Sequence, residues 1–248
     1  MEPVFRTLEI AAGVAVKATG TAITFHGLDT IPRIGGAVIA INHTSYVDFV
    51  PAALAAKQRG RRMRFMIKSE MQKIAPVNFL IRHSKTIPVD RSAGADSYAM
   101  AVTELRDGEI VGVYPEATIS RSFELKEFKS GAARMALEAQ VPIIPLIVWG
   151  AQRIWTKDHP KSLGRNKTPI AVAVGAQIVP TGTAEQVAAA MRAEMTAVLD
   201  RVQSQYPHPE GAYWVPKRLG GGAPSPVEAR ALDEAELAER ARRRMENR

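Results

Sequence analysis

The sequence predicts an α/β fold, with a mostly parallel central sheet flanked by helices, an amphipathic N-terminal helix and a C-terminal tail. Two observations predict it. Short, unbroken apolar runs recur along the chain, and strands of a parallel sheet read this way because both of their faces are covered. Segments with helical spacing lie between several of these runs, and alternating strands and helices are the pattern of a parallel sheet. A length of 248 residues suits one sizeable domain with its own core.

The elements follow in order. Residues 4–18 align Val4, Phe5, Leu8, Ala11, Ala12 and Ala15 along one stripe of a helix, with Arg6, Glu9 and Lys17 off it. Such a helix either lies in a membrane interface or packs on the core, and the spacing is the same for both. Strands are expected at 22–25, 37–41, 63–67, 85–89, 110–114, 143–148 and 170–174. Helices are expected around Tyr98, Ala101, Val102 and Leu105, closed by Gly108, and from near Ser130. A third starts at Thr183, with Gln186 completing a capping box, and runs through Val187, Met191, Met195, Val198 and Val202. After Gln205 the run Tyr206-Pro207-His208-Pro209 and then Gly220-Gly221-Gly222-Ala223-Pro224 has linker composition. The expected organisation is an N-terminal helix over 1–20, a domain over 21–205, and a linker with a charged tail over 206–248. That tail, with Arg240, Arg242, Arg243 and Arg244, is either a solvated helix or a basic contact to anionic lipid.

Composition narrows the function. The net charge of +8 favours acidic partners. A nucleic-acid binder is disfavoured, because aromatic residues make up 6% of the chain and no recognised motif occurs. Without cysteine there is neither a thiolate nucleophile nor a disulfide. No charge-free apolar run reaches the roughly 18 residues of a membrane-crossing helix, so membrane contact is expected at the surface. The N-terminus lacks the pattern of a secretory signal, so the cytoplasmic face is expected.

Four segments carry chemistry. The first is Asn42-His43-Thr44-Ser45-Tyr46-Val47-Asp48, directly after the apolar run 37–41. Histidine can take a proton from an alcohol when a carboxylate fixes its other ring nitrogen. Five residues along one helix would set His43 and Asp48 about 140° apart, so they meet only if His43 precedes the helix. The spacing of Ser45 and Asp48 predicts a helix starting at Ser45, which leaves His43 outside it. The alternative is that Asp48 only complements that helix N-terminus. Two potential ligands without a third make a poor metal site, and none is expected.

In the second segment, Ile87-Pro88-Val89-Asp90-Arg91, an arginine follows a strand and suits a phosphate through its planar fork. The third runs from Val113-Tyr114-Pro115-Glu116-Ala117-Thr118-Ile119-Ser120-Arg121 to Phe128-Lys129-Ser130-Gly131, where Lys126 and Lys129 stand before a helix and form an anion cradle. The fourth, Val141-Pro142-Ile143-Ile144-Pro145, is an apolar strand. Separately, the run Lys57, Arg59, Arg61, Arg62 and Arg64 reads either as a patch for the phosphates of a nucleotide-bearing thioester or anionic lipid, or as a solvated loop.

In this order, and over roughly residues 36–150, the segments resemble the four blocks of the glycerolipid acyltransferase superfamily, in particular the 1-acyl-sn-glycerol-3-phosphate acyltransferases. The resemblance implies His43 as general base and Asp48 as its orienting partner. It implies Arg91, Glu116, Thr118, Arg121, Lys68, Lys126 and Lys129 as the group around the substrate phosphate, and Pro145 at the acyl-donor site. The third block departs from the family's Glu-Gly-Thr-Arg-Ser, because Ala117 and Ile119 replace the glycine and the arginine, and Arg121 stands two positions late. The implied reaction passes a fatty acyl group from acyl-CoA or acyl carrier protein to lysophosphatidic acid, with no cofactor, by a protein held at the membrane surface through anionic lipid. Other lipid acceptors, or a non-catalytic lipid-binding module, are the alternatives.

Overall fold

The computed structural model describes residues 3–69, 73, 78, 83, 86–89 and 94–246. Its elements, in chain order, are α1 (Pro3–Ala18), β1 (Ala22–His26), β2 (Ala37–Ile41), α2 (Phe49–Gln58), β3 (Met63–Lys68), β4 (Ile87–Val89), α3 (Gly94–Arg106), β5 (Ile110–Val113), α4 (Gly131–Ala139), β6 (Ile143–Trp149), β7 (Pro169–Val174), α5 (Ala184–Gln205) and α6 (Pro226–Glu246). The strands form one sheet in the order β1-β7-β6-β2-β5-β3-β4. Every neighbouring pair is parallel except β6 with β7. The predicted fold class is borne out.

The apolar runs are explained by what covers them. Every residue of β2, β5 and β6 is buried, and successive side chains point to opposite faces. Val38, Ala40, Val111, Val113, Ile143 and Ile147 pack under α3, α4 and α5. Ala37, Ile39, Ile41, Ile144, Leu146 and Val148 pack on the other face with Ala52, Ala55 and Ala56 of α2. The chain therefore leaves β2 toward one face and leaves the neighbouring β5 toward the other. The two loops part at the carboxyl edge of adjacent strands, which is where open α/β sheets form their binding crevice.

Three expectations change. The first helix of the domain begins at Phe49 rather than Ser45, with residues 46–48 forming a turn. Pro51 explains the shift. It is tolerated in the first turn of a helix starting at Phe49, but inside one starting at Ser45 it would break a backbone hydrogen bond and clash with the preceding turn.

The stretch after Gln205 packs where a linker was expected. Tyr206, Trp214, Val215 and Ala223 are buried, and the Trp149 indole N–H donates to His208 Nε2 at 3.2 Å. Its glycines serve close approach. A Cβ at Gly221 would lie 1.9 Å from the Val215 carbonyl oxygen, and one at Gly222 would lie 2.5 Å from that of Gly211.

Three arginines of the basic run work as staples. Arg59 donates to the carbonyls of Ile31 and Asp29, Arg61 to those of Pro32, Gly35 and Gly108, and Arg64 pairs with Glu109 at 3.1 Å.

Candidate active site

The site grows from the end of β2. Asn42 extends the β2–β6 ladder with its side chain, donating from Nδ2 to the Val148 carbonyl at 3.0 Å and accepting the Val148 amide at 2.7 Å. This fixes the strand end, and the next residue is His43. Its Nδ1 lies 3.3 Å from Asp48 Oδ2, and the same oxygen accepts the amides of Thr44 at 2.8 Å and Ser45 at 2.7 Å. The carboxylate thus turns back from the helix N-terminus and ties the loop into a ring around the histidine. The imidazole stacks on Tyr114, with ring centroids 4.1 Å apart at 24°. It keeps 20% of its side chain exposed, whereas Asp48 is fully buried. Burial pushes Asp48 above the usual carboxyl value, and the His43 contact and the two amides pull it back.

The third block clamps the histidine's backbone from the other side. The His43 amide donates to Glu116 Oε1 at 2.8 Å, and the Ser120 amide donates to the His43 carbonyl at 2.8 Å. Glu116 Oε2 accepts the Lys126 amide at 3.0 Å. Burial raises the Glu116 carboxyl to about 7, against the pull of those two amides and the Lys126 charge. Each of its oxygens thus accepts one backbone amide, which ties the His43 and Lys126 segments together. Ala117 takes φ +61°, the left-handed conformation that explains a glycine at this place in the family pattern.

A third segment closes the loop, and sequence reasoning missed it. Thr156 Oγ1 donates to the Thr44 carbonyl at 2.7 Å, the Tyr46 amide to the Trp155 carbonyl at 3.0 Å, and Ser45 Oγ to the same carbonyl at 2.6 Å. No local signal marks residues 155–156, which stand 109 to 112 positions from their partners. Tyr114 was legible only as the last residue of an apolar run.

The expected phosphate ligands divide. Lys126 reaches Thr118 Oγ1 at 2.7 Å. Ile119, where the family pattern has arginine, is buried. Arg121 has come to the site but is engaged by Asp158, Asp233 and Glu236. Lys129 is exposed, and its amide donates to the Pro115 carbonyl. The side chain of Lys68 and the whole of Arg91 lie outside the described residues. Pro145 is buried in β6, and its carbonyl accepts the Gly175 amide at 2.9 Å. Having no N–H, it cannot return that bond, and β7 has already ended at Val174.

A histidine held by a carboxylate thus stands at the carboxyl edge of β2, clamped by a Pro-Glu turn. Residues 22–149, which contain this frame, match the acyltransferase family. The chain belongs to the acyltransferase family. It is 26% identical over 129 residues to the 1-acyl-sn-glycerol-3-phosphate acyltransferase of Bacillus subtilis, covering 52% of this chain and 63% of that one. It is also 26% identical over 153 residues to the Borreliella burgdorferi protein of the same name, covering 58% of each. The human 1-acyl-sn-glycerol-3-phosphate acyltransferase beta is 29% identical over 116 residues, covering 44% of this chain and 40% of that one. The matched part thus spans some two-fifths to three-fifths of these relatives. The crystal structure of the 1-acyl-sn-glycerophosphate (LPA) acyltransferase from Thermotoga maritima superposes with a TM-score of 0.68 at 20% identity, over 82% of this chain and 81% of that one. That likeness establishes the acyltransferase fold for the chain. The residues of the third closing segment and of α6 lie beyond the matched 22–149.

Proposed function

We propose that the chain transfers a fatty acyl group from a thioester, acyl-CoA or acyl carrier protein, to the free hydroxyl of 1-acyl-sn-glycerol-3-phosphate, giving phosphatidic acid for phospholipid synthesis. The observation that carries this reading is the His43–Asp48 pair at 3.3 Å at the end of β2. With Nδ1–H donated to Asp48, Nε2 keeps a lone pair for the acceptor hydroxyl. The hydroxyl oxygen attacks the thioester carbonyl carbon as its proton passes to Nε2. The tetrahedral intermediate then collapses, the C–S bond breaks, and the departing thiolate takes the proton from the imidazolium. Such general-base assistance contributes roughly 10²–10⁴-fold. Asp48 and Tyr114 orient the ring. The amides of Thr44, Ser45, Ala117 and Ser120 are already engaged within the loop, so the donors for the developing oxyanion lie elsewhere.

The supports for a membrane-surface location are in α1. Phe5 is buried beneath the guanidinium groups of Arg62 and Arg64, while Ile10 and Val14 are 57% and 60% exposed. Among the described residues no helix is long and apolar enough to cross a membrane. We place the protein at the cytoplasmic face of the membrane, held peripherally by that apolar face and by anionic lipid.

A different lipid acceptor is the second reading, favoured by the saturation of Arg121 with carboxylates. The test is mass spectrometry of the lipids formed when purified protein meets acyl-CoA or acyl carrier protein thioester and a panel of acceptors. Phosphatidic acid as the main product supports the proposal. Acylation of unphosphorylated acceptors alone overturns the headgroup assignment, and an unconsumed thioester with every acceptor leaves a non-catalytic lipid-binding module.

A further inference from the structure

The inward stripe of α6 carries charges where a docked helix ordinarily carries apolar side chains. Ala229 is buried, Asp233 and Glu236 are half-buried at helical spacing from it, and Leu232 and Leu237 are 46% and 62% exposed. The helix is therefore fastened mainly by carboxylates. They meet three cations. Asp233 Oδ1 pairs with Arg121 and with Lys157 at 3.5 Å, and Asp233 Oδ2 pairs with Lys126. Glu236 Oε2 pairs with Arg121 at 2.9 Å and Lys157 at 3.0 Å. Three oxygens from one helix thus face one guanidinium and two ammonium groups, the arrangement that the three oxygens of a phosphate monoester would satisfy. Asp158 holds Arg121 from the side, at 2.5 Å from its Nε.

The cluster belongs to the same loop system as His43. The Lys126 and His43 amides share the Glu116 carboxylate, and the Ser120 amide, next to Arg121, binds the His43 carbonyl. A cleft of about 400 Å³ opens beside it, lined by Tyr46, Arg121, Lys157, Asp158, Leu232 and Glu236. Arg121 keeps only 8% of its side chain exposed and Lys157 only 12%, so these cations are built into the wall of the site.

Resting on the acyl-transfer reading above, we propose that α6 is a self-inhibitory latch: Asp233 and Glu236 occupy the acceptor's phosphate subsite on Arg121, Lys126 and Lys157, and a phosphate-bearing acceptor enters by displacing them. The proposal adds Lys157 to the headgroup ligands and explains why Arg121, the shifted arginine of the third block, is found saturated. Ionic fastening suits a latch, because a dianion can replace two carboxylates on the same cations, whereas an apolar docking face would have no such competitor.

The test has two arms on the full chain. In the first, hydrogen exchange of the α6 amides is followed in the wild-type protein with sn-glycerol 3-phosphate and with glycerol. The latch predicts faster exchange with the phosphate alone; unchanged or slower exchange overturns it. In the second, Asp233→Asn/Glu236→Gln is compared with wild type in acyl transfer. The latch predicts a lower KM for the phosphorylated acceptor, about tenfold if the latch is open about a tenth of the time, with the KM for the donor unchanged. An unchanged or higher acceptor KM overturns the latch and makes α6 a fixed wall. If neither protein transfers acyl groups, the acyltransferase reading fails, while the exchange arm still decides the latch.

Discussion

Two buried carboxylates do different work within a few ångströms of His43. Asp48 spends one oxygen on the imidazole and two amides, and Glu116 spends both oxygens on amides that carry His43 and Lys126. For Glu116 the pH dependence follows from the sign of its shift. Its folded-state value of about 7 lies above the usual 4.5, so the folded protein holds this proton more tightly than the unfolded chain. That contribution to stability is complete below about 4.5 and is lost as pH rises through about 7, amounting to roughly 3 kcal/mol at most. Denaturant titrations at pH 5 and pH 8 should show wild type losing more stability over the interval than Glu116→Gln; equal losses would contradict the assignment. Ala117 offers a second test. A side chain at φ +61° costs on the order of 1 kcal/mol, so Ala117→Gly should be at least as stable as wild type. Ala117→Val should lose more than about 1 kcal/mol, since β-branching is poorly tolerated there. Equal midpoints for all three would refute the strain. The His43–Asp48 pair was legible because its partners stand five residues apart. Glu116's amide from His43 comes from 73 positions away, and no local pattern records it.

At the scale of elements, the central strands and the Thr183 capping box were legible because burial on both faces and helix capping leave local signatures. The stretch over 206–225 was misread because glycine and proline composition suggests freedom, while the burial of Trp214 and the tight approach at Gly221 depend on residues far away in sequence. The arginines around residue 60 were misread for the complementary reason: the carbonyls that occupy Arg59 and Arg61 lie some 26 to 47 positions away. With those cations occupied, α1 becomes the main candidate for membrane contact. Its exposed Ile10 and Val14 supply a hydrophobic component, and the net charge of +8 supplies a screened one. The protein should sediment with anionic vesicles at low salt, partly detach at high salt, and bind much more weakly as Ile10→Ser/Val14→Ser. Undiminished sedimentation of that variant would remove α1 from the account.

For the whole molecule, the sheet order decides where chemistry can occur. Because β5 lies beside β2 and their helices leave to opposite faces, the first and third blocks meet at one edge although some 70 residues separate them. The sequence announced the blocks, and the parallel topology it predicted is what brings them together. The acidic closure supplied by α6 was out of reach of any reading by block, since Asp233 and Glu236 look like any other acidic residues of a charged helix until the cations of Arg121, Lys126 and Lys157 are set opposite them. The net charge of +8 is therefore no guide to the charge within the site, where three cations face three carboxylates. In the proposed reaction His43, oriented by Asp48, takes the proton of the acceptor hydroxyl. The most direct test is the initial rate of thioester consumption with lysophosphatidic acid, measured for wild type and His43→Ala, with circular dichroism and thermal melting to establish that the variant is folded. The folded variant should lose about 10²-fold or more in kcat; turnover of the folded variant at the wild-type rate would refute His43 as the base.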